Sequence, residues 1–227
     1  MDLYDVMRST AAVREFADEP LPDETLHRIL DNARFAPSGG NRQGTHVIVV
    51  RDQETRERIA ELNKPAVRRY VAQAKAGQSP WNPLEAPAPT PEEIAATDVP
   101  EQFTKPVLTA GAVLVVCVDL GVVAATDQHL DRVGVISGAS VYPLVWNILL
   151  AARNEGFGGT ITTMAVAQEP AVRELLGIPE RYAVAAVLPL GKPVKQLTKL
   201  TRRPVSEFVT RERFDGPPFE RPAQSSA

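Results

Sequence analysis

Three stretches of the chain have the apolar pattern of β-strands. Residues 112–120 and 183–190 are nearly uninterrupted apolar runs, and strands without polar alternation are typically covered on both faces of a sheet. Residues 46–50 form a shorter run that is rich in β-branched side chains, which favour extended backbone. The pattern therefore predicts a largely buried sheet that contains at least these three strands.

Two segments carry a clear helical pattern. From Asp23 onward, apolar residues recur at the i, i+3, i+4 and i+7 positions of one helix face, and Pro37 ends the pattern. The apolar residues of this face are Leu26, Ile29, Leu30 and Ala33. Residues 54–76 also predict a helix, with a break near Pro65 because proline lacks the N–H that a helix interior requires.

A third helix is expected to be central to the protein. Residues 130–154 are apolar on almost every side, which is typical of a helix in a core or in an oligomer interface, and Pro143 predicts a kink within it. Residues 3–9 predict a short helix. Pro170 and Gly177 mark the start and the end of another.

The remaining segments carry no core pattern. Residues 79–106 are so rich in proline that they exclude a continuous helix or a central strand. They form either a mobile loop that covers a site or a long connector. The basic tail is expected to wrap over a surface or a partner. Without repeats or a clear linker, we predict a single domain over 1–227, with a variable lid-like segment at about 64–106 and a C-terminal extension at about 192–227.

Composition narrows the class of protein. The 227 residues are 44% hydrophobic and 23% charged, which is ordinary for a globular protein. A net charge of -3 argues against a general nucleic-acid binder. The single cysteine, Cys117, lies in an apolar run and is expected to be buried. Neither a signal-peptide pattern nor an 18-residue apolar run is present, so a cytoplasmic protein without a membrane span is expected.

Several familiar catalytic and cofactor motifs are missing from the chain. It has no G-x-G-x-x-G after a strand, no Walker loop and no G-x-S-x-G elbow. The three histidines, His27, His46 and His129, are far apart and have no metal-ligand partner nearby in sequence, so no metal site is expected. The candidate chemistry must come from other residues.

Two loops combine basic, hydroxyl and amide side chains in an unusual density. The segment "MRSTAAVREF" contains Arg8, Ser9 and Arg14, and the forked donors of arginine suit a phosphate group. The segment "PSGGNRQG" combines amides with three glycines. Amide side chains both donate and accept, which suits the edge of a flavin ring, and glycine allows backbone to approach a flat ring. Taken singly, each segment could be an ordinary solvated loop.

Two later segments have the same character. "GFGGTITTM" follows the apolar helix and could present backbone N–H groups to a reactive ring atom, although Gly156 alone would satisfy a helix C-cap. "TRRPV" places Arg202 and Arg203 near the C-terminus, where they could be a charged surface pair. The order and spacing of the four segments carry more information than any one of them.

With these segments in this order, the chain resembles the FMN-dependent nitroreductase family from about Tyr4 to Phe214. The resemblance rests on the N-terminal Arg-Ser followed by Arg-x-Phe, and on "ARFAPSGGNRQ", where the family has A-x-x-A-P-S-x-x-N-x-Q. It rests further on the apolar helix that ends in "NILLAARNEGFG" and on the final R-[RK]-P. Residues 64–106 match poorly, in a region where the family is variable.

The resemblance implies an α+β homodimer with a central mixed sheet flanked by helices, intertwined by the C-terminal extensions, with two FMN sites at the interface. The resemblance also implies a set of FMN contacts in this chain. They are Arg8, Ser9, Arg14, Pro37, Ser38, Gly39, Asn41, Gln43, Thr162, Thr163, Arg202 and Arg203. The N- and C-terminal residues of this set would bind the ribityl phosphate. Ser38, Asn41 and Gln43 would meet the polar ring edge, some of them from the opposite chain. Backbone around Thr162 and Thr163 would face the N5 and O4 side of the ring.

The chain departs from the family pattern in three places. The interval from Ser9 to Arg14 is longer than in R-R-S-x-R, and an alternative alignment puts Thr10 and Ala12 at the phosphate positions. The usual Q-P-W continues here as Gln-Gly-Thr at 43–45, and Trp146 replaces a glutamine often found in the long helix. These departures affect individual contacts more than the cofactor itself.

The implied activity is NAD(P)H-dependent reduction of nitroaromatic or quinone acceptors on bound FMN, by a ping-pong hydride transfer in which Arg14 or Arg42 stabilises negative charge on the ring. No side chain is singled out as catalytic, since the chemistry lies at N5. The alternatives are a flavin-binding or storage protein with little turnover, and a reductive dehalogenase or flavin-fragmenting relative on the same fold. Arg68 and Arg69 could meet the 2′-phosphate of NADPH or lie on a solvated helix face.

Overall fold

A four-stranded antiparallel sheet forms the centre of the protein in a computed structural model that describes residues 1–222. Its strands are β1 (Thr45–Val50), β2 (Ala112–Asp119), β3 (Gly158–Gly159) and β4 (Tyr182–Gly191). The spatial order is β1-β2-β4-β3, so β2 and β4 occupy the interior. All three predicted strands are confirmed, and the short glycine strand β3 is an addition to them.

Within residues 1–222, seven α-helices accompany this sheet. They are α1 (Leu3–Ser9), α2 (Asp23–Ala33), α3 (Gln53–Lys75), α4 (Pro91–Ala95), α5 (Lys105–Thr109), α6 (Tyr142–Asn154) and α7 (Glu169–Leu176). Short 3₁₀ turns occur at Gly39–Asn41, Glu101–Phe103, Ile136–Ser140, Met164–Gln168 and Val205–Glu207. The expected α+β class is confirmed, as are the predicted helices at α1, α2 and α7.

Strand β2 is buried at every residue because helices cover both faces of the sheet. Leu114 and Val116 point into a core that α2 and α6 close, whereas Val113 and Val115 point into a second core that α3, α5 and α7 close. The alternation of side chains along a strand thus divides one apolar run between two cores. The resulting architecture has three layers, with the sheet between two layers of helices.

A β-bulge in β4 changes which of its residues face each core. The register between β2 and β4 shifts after Val116, so that Ala185 is the extra residue on β4. The hydroxyl of Tyr142, in the first turn of α6, donates to the Ala185 carbonyl at 3.3 Å. The bulge therefore gives α6 a polar attachment to the sheet next to its apolar packing.

The free edge of the sheet is closed by the N-terminal segment. Ala12 forms a parallel bridge with Gly159, and the Val13 N–H donates to the Gly159 carbonyl at 2.8 Å. This is where the mixed character of the sheet lies, since the four strands themselves pair antiparallel. A Cβ at Gly159 would overlap the Pro189 carbonyl oxygen, so this close approach requires glycine.

The prediction of a long apolar helix over residues 130–154 was wrong for its first half. Helix α6 begins only at Tyr142, and Pro143 lies in its first turn, where proline is well tolerated, instead of producing a kink. Upstream, the buried Asp127 carboxylate accepts hydrogen bonds from the backbone N–H groups of Val135 and Ile136. Those N–H groups would donate to carbonyls within a continuous helix, so the carboxylate holds this stretch in a turn.

The break predicted near Pro65 was also wrong. Helix α3 runs from Gln53 to Lys75 with Pro65 inside it. Proline leaves the carbonyl of Glu61 without its helical partner, but Glu61 is exposed, so water can satisfy that carbonyl. Packing of α3 against α5, α7 and the Met164–Gln168 turn supports the helix on both sides of the proline.

The proline-rich segment 79–106 contains no continuous helix and no strand, as predicted, and it packs along α3. Trp81 stacks against the Arg69 guanidinium, with 3.9 Å between the cation and the ring centroid, and its Nε1 donates to the Ala66 carbonyl at 3.2 Å. The backbone N–H of Trp81 donates to the side chain of the buried Gln73 at 3.1 Å. Arg69 is therefore half-buried against the proline-rich segment and does not lie on a solvated helix face.

Cys117 is buried in β2, as predicted. Burial raises the pKa of its thiol to about 11, and the nearby Glu169 carboxylate acts in the same direction. The thiolate is the reactive form of cysteine, so this residue is an inert part of the core. Within residues 1–222, no helix combines the length with the apolar composition that a bilayer crossing requires.

The turn that Asp127 holds predicts a specific pH dependence of stability. The hydrogen bond from the Val135 N–H, together with those from Arg132 and the Ile136 N–H, holds the Asp127 pKa below its ordinary value of 3.8 despite burial. A depressed pKa stabilises the folded state above the ordinary value, and this contribution is lost as the pH falls through the folded-state pKa.

We therefore expect Asp127→Asn to unfold more easily at pH 7 and to lose less stability than the wild type between pH 5 and pH 2. Urea unfolding at several pH values measures both effects. Asp98→Asn, at an exposed carboxylate, is the control and should keep the wild-type profile. An Asp127→Asn profile parallel to that of the wild type would contradict the assignment.

Candidate functional site

The loop after α2 adopts a backbone that few residues tolerate. Gly40, Asn41 and Gln43 have φ angles of 61°, 51° and 50°, all in the left-handed region. Glycine reaches this region freely, but the other two residues are held there at a cost, which is common at binding loops. The Ser38 hydroxyl stabilises the turn by accepting a hydrogen bond from the Gln43 N–H at 3.0 Å. The amide side chains at 41 and 43 are exposed as a result.

Neighbouring segments hold this loop from behind. The Gly39 N–H donates to the Ser140 hydroxyl at 3.2 Å, and the Arg42 guanidinium donates to the Val122 carbonyl at 3.3 Å. A Cβ at Gly44 would overlap Cγ2 of Val122. A proline at position 44, as in the family pattern Q-P-W, would meet the same side chain, so Gly44 and Val122 explain that departure together.

The loop borders an open cavity of about 400 Å³, which we call the amide-loop cavity. Its walls come from α2, from the start of β1 and from the residues before α6. The lining residues are His27, Leu30, Asp31, Arg34, Ala36, Pro37, Ser38, Gln43, Thr45, Val47, Ser140 and Leu144. Of the predicted loop contacts, Pro37, Ser38 and Gln43 line this cavity, whereas Gly39 and Asn41 lie on the adjoining turn.

A second cavity brings Arg14 together with the two predicted threonines. We call it the threonine cavity, and its volume is about 190 Å³. Its walls come from the segment after β3, the N-terminal segment that carries Arg14, α3 and α5. Its lining residues are Arg14, Tyr70, Gln102, Phe103, Pro106, Val107, Thr160, Ile161, Thr162, Thr163, Met164 and Pro189. The Arg14 guanidinium makes no hydrogen bond to the described residues and is free to meet a ligand.

The two threonines differ in what their backbone can offer. The Thr162 N–H donates to the Val187 carbonyl at 2.9 Å, and the Val187 N–H donates back to the Thr162 carbonyl at 2.8 Å. This pairing fastens the loop to β4 and uses both backbone groups of Thr162. Within residues 1–222, the Thr163 N–H has no protein acceptor. Of these two threonines, Thr163 is therefore the one whose backbone N–H is available, among the described residues, for the predicted contact with the flavin.

A third cavity adjoins the threonine cavity and extends under the proline-rich segment. This tryptophan cavity has a volume of about 420 Å³ and is lined by Ala66, Tyr70, Pro80, Trp81, Thr163, Met164, Val166 and Ala167. Tyr70, Thr163 and Met164 line both cavities, and we refer to the two adjoining cavities together as the groove. Among the described residues that line this groove, none carries a carboxylate.

A fourth cavity, which we call the basic cavity, gathers the predicted phosphate residues. It measures about 850 Å³ and is lined by Met1, Asp5, Met7, Arg8, Ser9, Arg153, Thr198, Lys199, Leu200 and Arg202. Sequence reasoning found Arg8, Ser9 and Arg202 but missed Arg153 and Lys199. The signal for Arg153 was its position in the last turn of α6, just before the second glycine-rich loop.

The structure separates the remaining predicted residues from these cavities. Arg203 is exposed and does not line the basic cavity. Of the two positions named by the alternative alignment, Thr10 is buried with its hydroxyl donated to the Val6 carbonyl at 2.7 Å, and Ala12 pairs with β3. In the described part of the chain, no group of three His, Cys, Asp or Glu side chains is placed to hold a metal ion.

The contact between Gly44 and Val122 predicts a suppressible defect. Gly44→Ala should destabilise the protein by about 1–2 kcal/mol, because an added methyl group in a filled space forces a shift of its neighbours. Val122→Ala in the same chain removes the overlapping methyl and should recover most of that loss. Thermal or urea unfolding of the two single variants and the double variant measures the coupling. Additive losses in the double variant would show that the two residues do not compete for space.

Comparison with known proteins places the chain in a family. The Nitroreductase family profile matches residues 7–192. A protein of Archaeoglobus fulgidus, named provisionally as an NADH dehydrogenase/NAD(P)H nitroreductase, is 30% identical over 194 residues, and the match covers 80% of each chain. The nitrobenzene nitroreductase of Ectopseudomonas oleovorans is 26% identical over 235 residues, covering 91% of this chain and 95% of its own.

Solved structures share the fold. The structure of oxidised iodotyrosine deiodinase bound to FMN and 3-iodo-L-tyrosine superposes with a TM-score of 0.66 at 22% identity, covering 93% of this chain and 99% of that one. The nitroreductase-like fold predicted from the sequence is thereby confirmed. Since the family profile spans most of the chain and the fold agrees with it, the protein belongs to the nitroreductase family.

Proposed function

We propose that this protein is an FMN-dependent oxidoreductase that uses NAD(P)H to reduce nitroaromatic or quinone acceptors. The observation that carries the proposal is the chemistry of two sites. The basic cavity gathers cations suited to a phosphate, and the threonine cavity places an unpaired arginine beside a free backbone N–H. Those are the donors that an FMN phosphate and an electron-accepting ring require.

The described residues fit FMN at both of its ends. Arg8 and Arg202 would hold the phosphate, because arginine forms paired, charge-assisted hydrogen bonds to phosphate oxygens. The Ser38, Asn41 and Gln43 side chains would meet the polar edge of the ring from the exposed loop. When bound, FMN supplies hydride transfer from NAD(P)H to the acceptor. The two substrates would bind in turn on one face of the flavin, in a ping-pong cycle.

Arg14 is the cation best placed to stabilise negative charge on the ring. It lines the threonine cavity and has no hydrogen bond to the described residues. Arg42, the other residue predicted for this role, already donates to the Val122 carbonyl at the back of its own loop. A fixed positive charge at the site of developing negative charge lowers the cost of reduction without reorganisation. The Thr163 N–H adds an oriented dipole on the same wall.

The groove formed by the threonine and tryptophan cavities favours uncharged, flat acceptors. Tyr70, Phe103 and Trp81 supply aromatic surface, and no described lining residue offers a carboxylate. The ammonium group of an amino-acid substrate such as iodotyrosine would be taken from water without an anionic partner, which is costly. A dehalogenase of the iodotyrosine deiodinase kind is therefore the second candidate.

The homodimer remains part of the proposal. Large apolar side chains are exposed on α6 and on the segment before it, and exposed apolar surface is a common feature of protein–protein interfaces. They are Leu130, Val133, Val135, Ile136, Tyr142 and Trp146. Within one chain, the amide-loop cavity and the threonine cavity share no lining residue. A second copy that covers this face would bring the loop of one chain to the arginines of the other.

The proposal predicts a simple colour change. The purified protein should be yellow, bleach anaerobically with NADPH or NADH, and recover its colour on addition of nitrobenzene or a benzoquinone. Absorbance near 450 nm follows each step, and 3-iodo-L-tyrosine is the matched acceptor for the second candidate.

The outcomes separate the alternatives. Recovery of the colour by iodotyrosine but not by the nitro compound or quinone would favour the dehalogenase. A yellow protein inert to both nicotinamides would indicate a flavin-binding or storage protein. A colourless protein that cannot take up FMN would exclude all of these functions.

A further inference from the structure

We propose that Arg153 binds the flavin phosphate directly and that Ser9 positions it, an assignment that rests on the proposed function. Arg153 lies in the segment "NILLAARNEGFG" on which the family resemblance rests, but it is not among the predicted FMN contacts. It enters the basic cavity from the last turn of α6, opposite the end of α1, which carries Arg8 and Ser9. The inference follows from how the hydroxyl of Ser9 is used.

The Ser9 hydroxyl is already committed within the protein. Ser9 is buried, and its Oγ donates to the Asp5 carbonyl at 2.6 Å. The same oxygen accepts a hydrogen bond from Nε of Arg153 at 3.0 Å. A serine hydroxyl has a single hydrogen, so Ser9 cannot also donate to a phosphate without giving up the Asp5 carbonyl. Its side chain is therefore placed to orient Arg153.

Fixing Nε leaves the two terminal nitrogens of Arg153 for a ligand. The Nε–Ser9 contact is the one hydrogen bond that its side chain makes to the described residues. A guanidinium held by one edge presents the rest of its planar fork in a defined direction, which is the geometry that binds phosphate oxygens in pairs. Arg153 lines the basic cavity together with Arg8 and Arg202, so its two terminal nitrogens can meet the same ligand.

Ser9 also fastens the C-terminal segment to the same place. The side-chain amide of Gln196 donates to the Ser9 backbone carbonyl at 3.3 Å. Lys199 and Arg202 follow within the next six residues and line the cavity. The end of α1 thus contacts Arg153 of α6 through the Ser9 hydroxyl. Through the Ser9 carbonyl and Gln196 it also contacts the C-terminal segment that carries Lys199 and Arg202.

The charges around the cavity match a phosphate dianion. Four cations line it, Arg8, Arg153, Lys199 and Arg202, against the single carboxylate of Asp5. The chain positions that the alternative alignment would use have no donor to spare, since the Thr10 hydroxyl is taken and Ala12 has none. Arg153 and Lys199 supply the positive charge that this chain lacks there.

The test compares FMN with riboflavin, which has the same ring and no phosphate. Wild type and Arg153→Gln, stripped of flavin, are titrated with each ligand and followed by flavin fluorescence. The variant should bind FMN about 10- to 100-fold more weakly and riboflavin as the wild type does, since a hydrogen-bonded charge acts only on the phosphate. Arg58→Gln, at an exposed arginine remote from the cavity, should change neither affinity.

Two further variants keep the result readable. Arg153→Lys keeps the charge without the fork and should recover part of the FMN affinity. Ser9→Ala should weaken FMN in the same direction but less, again sparing riboflavin, because Arg153 remains and only its orientation is lost.

An unchanged ratio of FMN to riboflavin affinity in Arg153→Gln, whether both ligands bind more weakly or neither does, would overturn the assignment and leave the proposed function standing. The same outcome in Ser9→Ala would remove Ser9 from the positioning role. A wild-type protein that binds neither flavin would overturn the proposed function, and this assignment with it.

Discussion

The two-sided burial of β2 is the constraint on which the rest of the structure depends. A strand that is apolar at every position leaves water only if helices cover both of its faces, and α2 with α6 on one side and α3, α5 and α7 on the other do so. With both faces closed, several groups of polar side chains lie where elements end. The loop after α2, the segment after β3 and the junction of α1 with α6 are such places, and each borders a cavity.

The proposed chemistry follows from how those ends are held. The N-terminal segment closes the sheet edge at Gly159, which sets Arg14 beside Thr163, while the bridge from Thr162 to Val187 uses the neighbouring backbone. Ser9 links α1 to Arg153 of α6. Under the proposed function, a single chain would supply the phosphate site and one wall of the ring site. The strained amide loop lines a different cavity, and in the proposed homodimer a second copy would bring it to the ring site.

Much of this could be predicted from the sequence, for a physical reason. Apolar runs and the helical repeat of α2 record burial directly, so the strands and that helix were located well. The same signal failed at residues 130–141, because apolar side chains there lie on an exposed surface and the Asp127 carboxylate takes the N–H groups of a helix. The family resemblance implied an FMN contact for Ser9 and none for Arg153, since a motif gives residue types and not the hydrogen bonds that a hydroxyl already makes.

The central claim is that each flavin site is shared by two chains, and mixed dimers test it most directly. Arg14→Ala removes the ring-facing cation, and Gln43→Gly removes a loop amide at a position whose φ of 50° glycine tolerates. The two variant chains are co-expressed with different tags, purified as mixed dimers, and their tightly bound FMN is counted. If Arg14 and Gln43 of opposite chains meet at one site, each mixed dimer has one intact site and one doubly altered site, and it should hold one tightly bound FMN. If the mixed dimers hold no tightly bound FMN, as expected for a dimer of either variant alone, the account is contradicted.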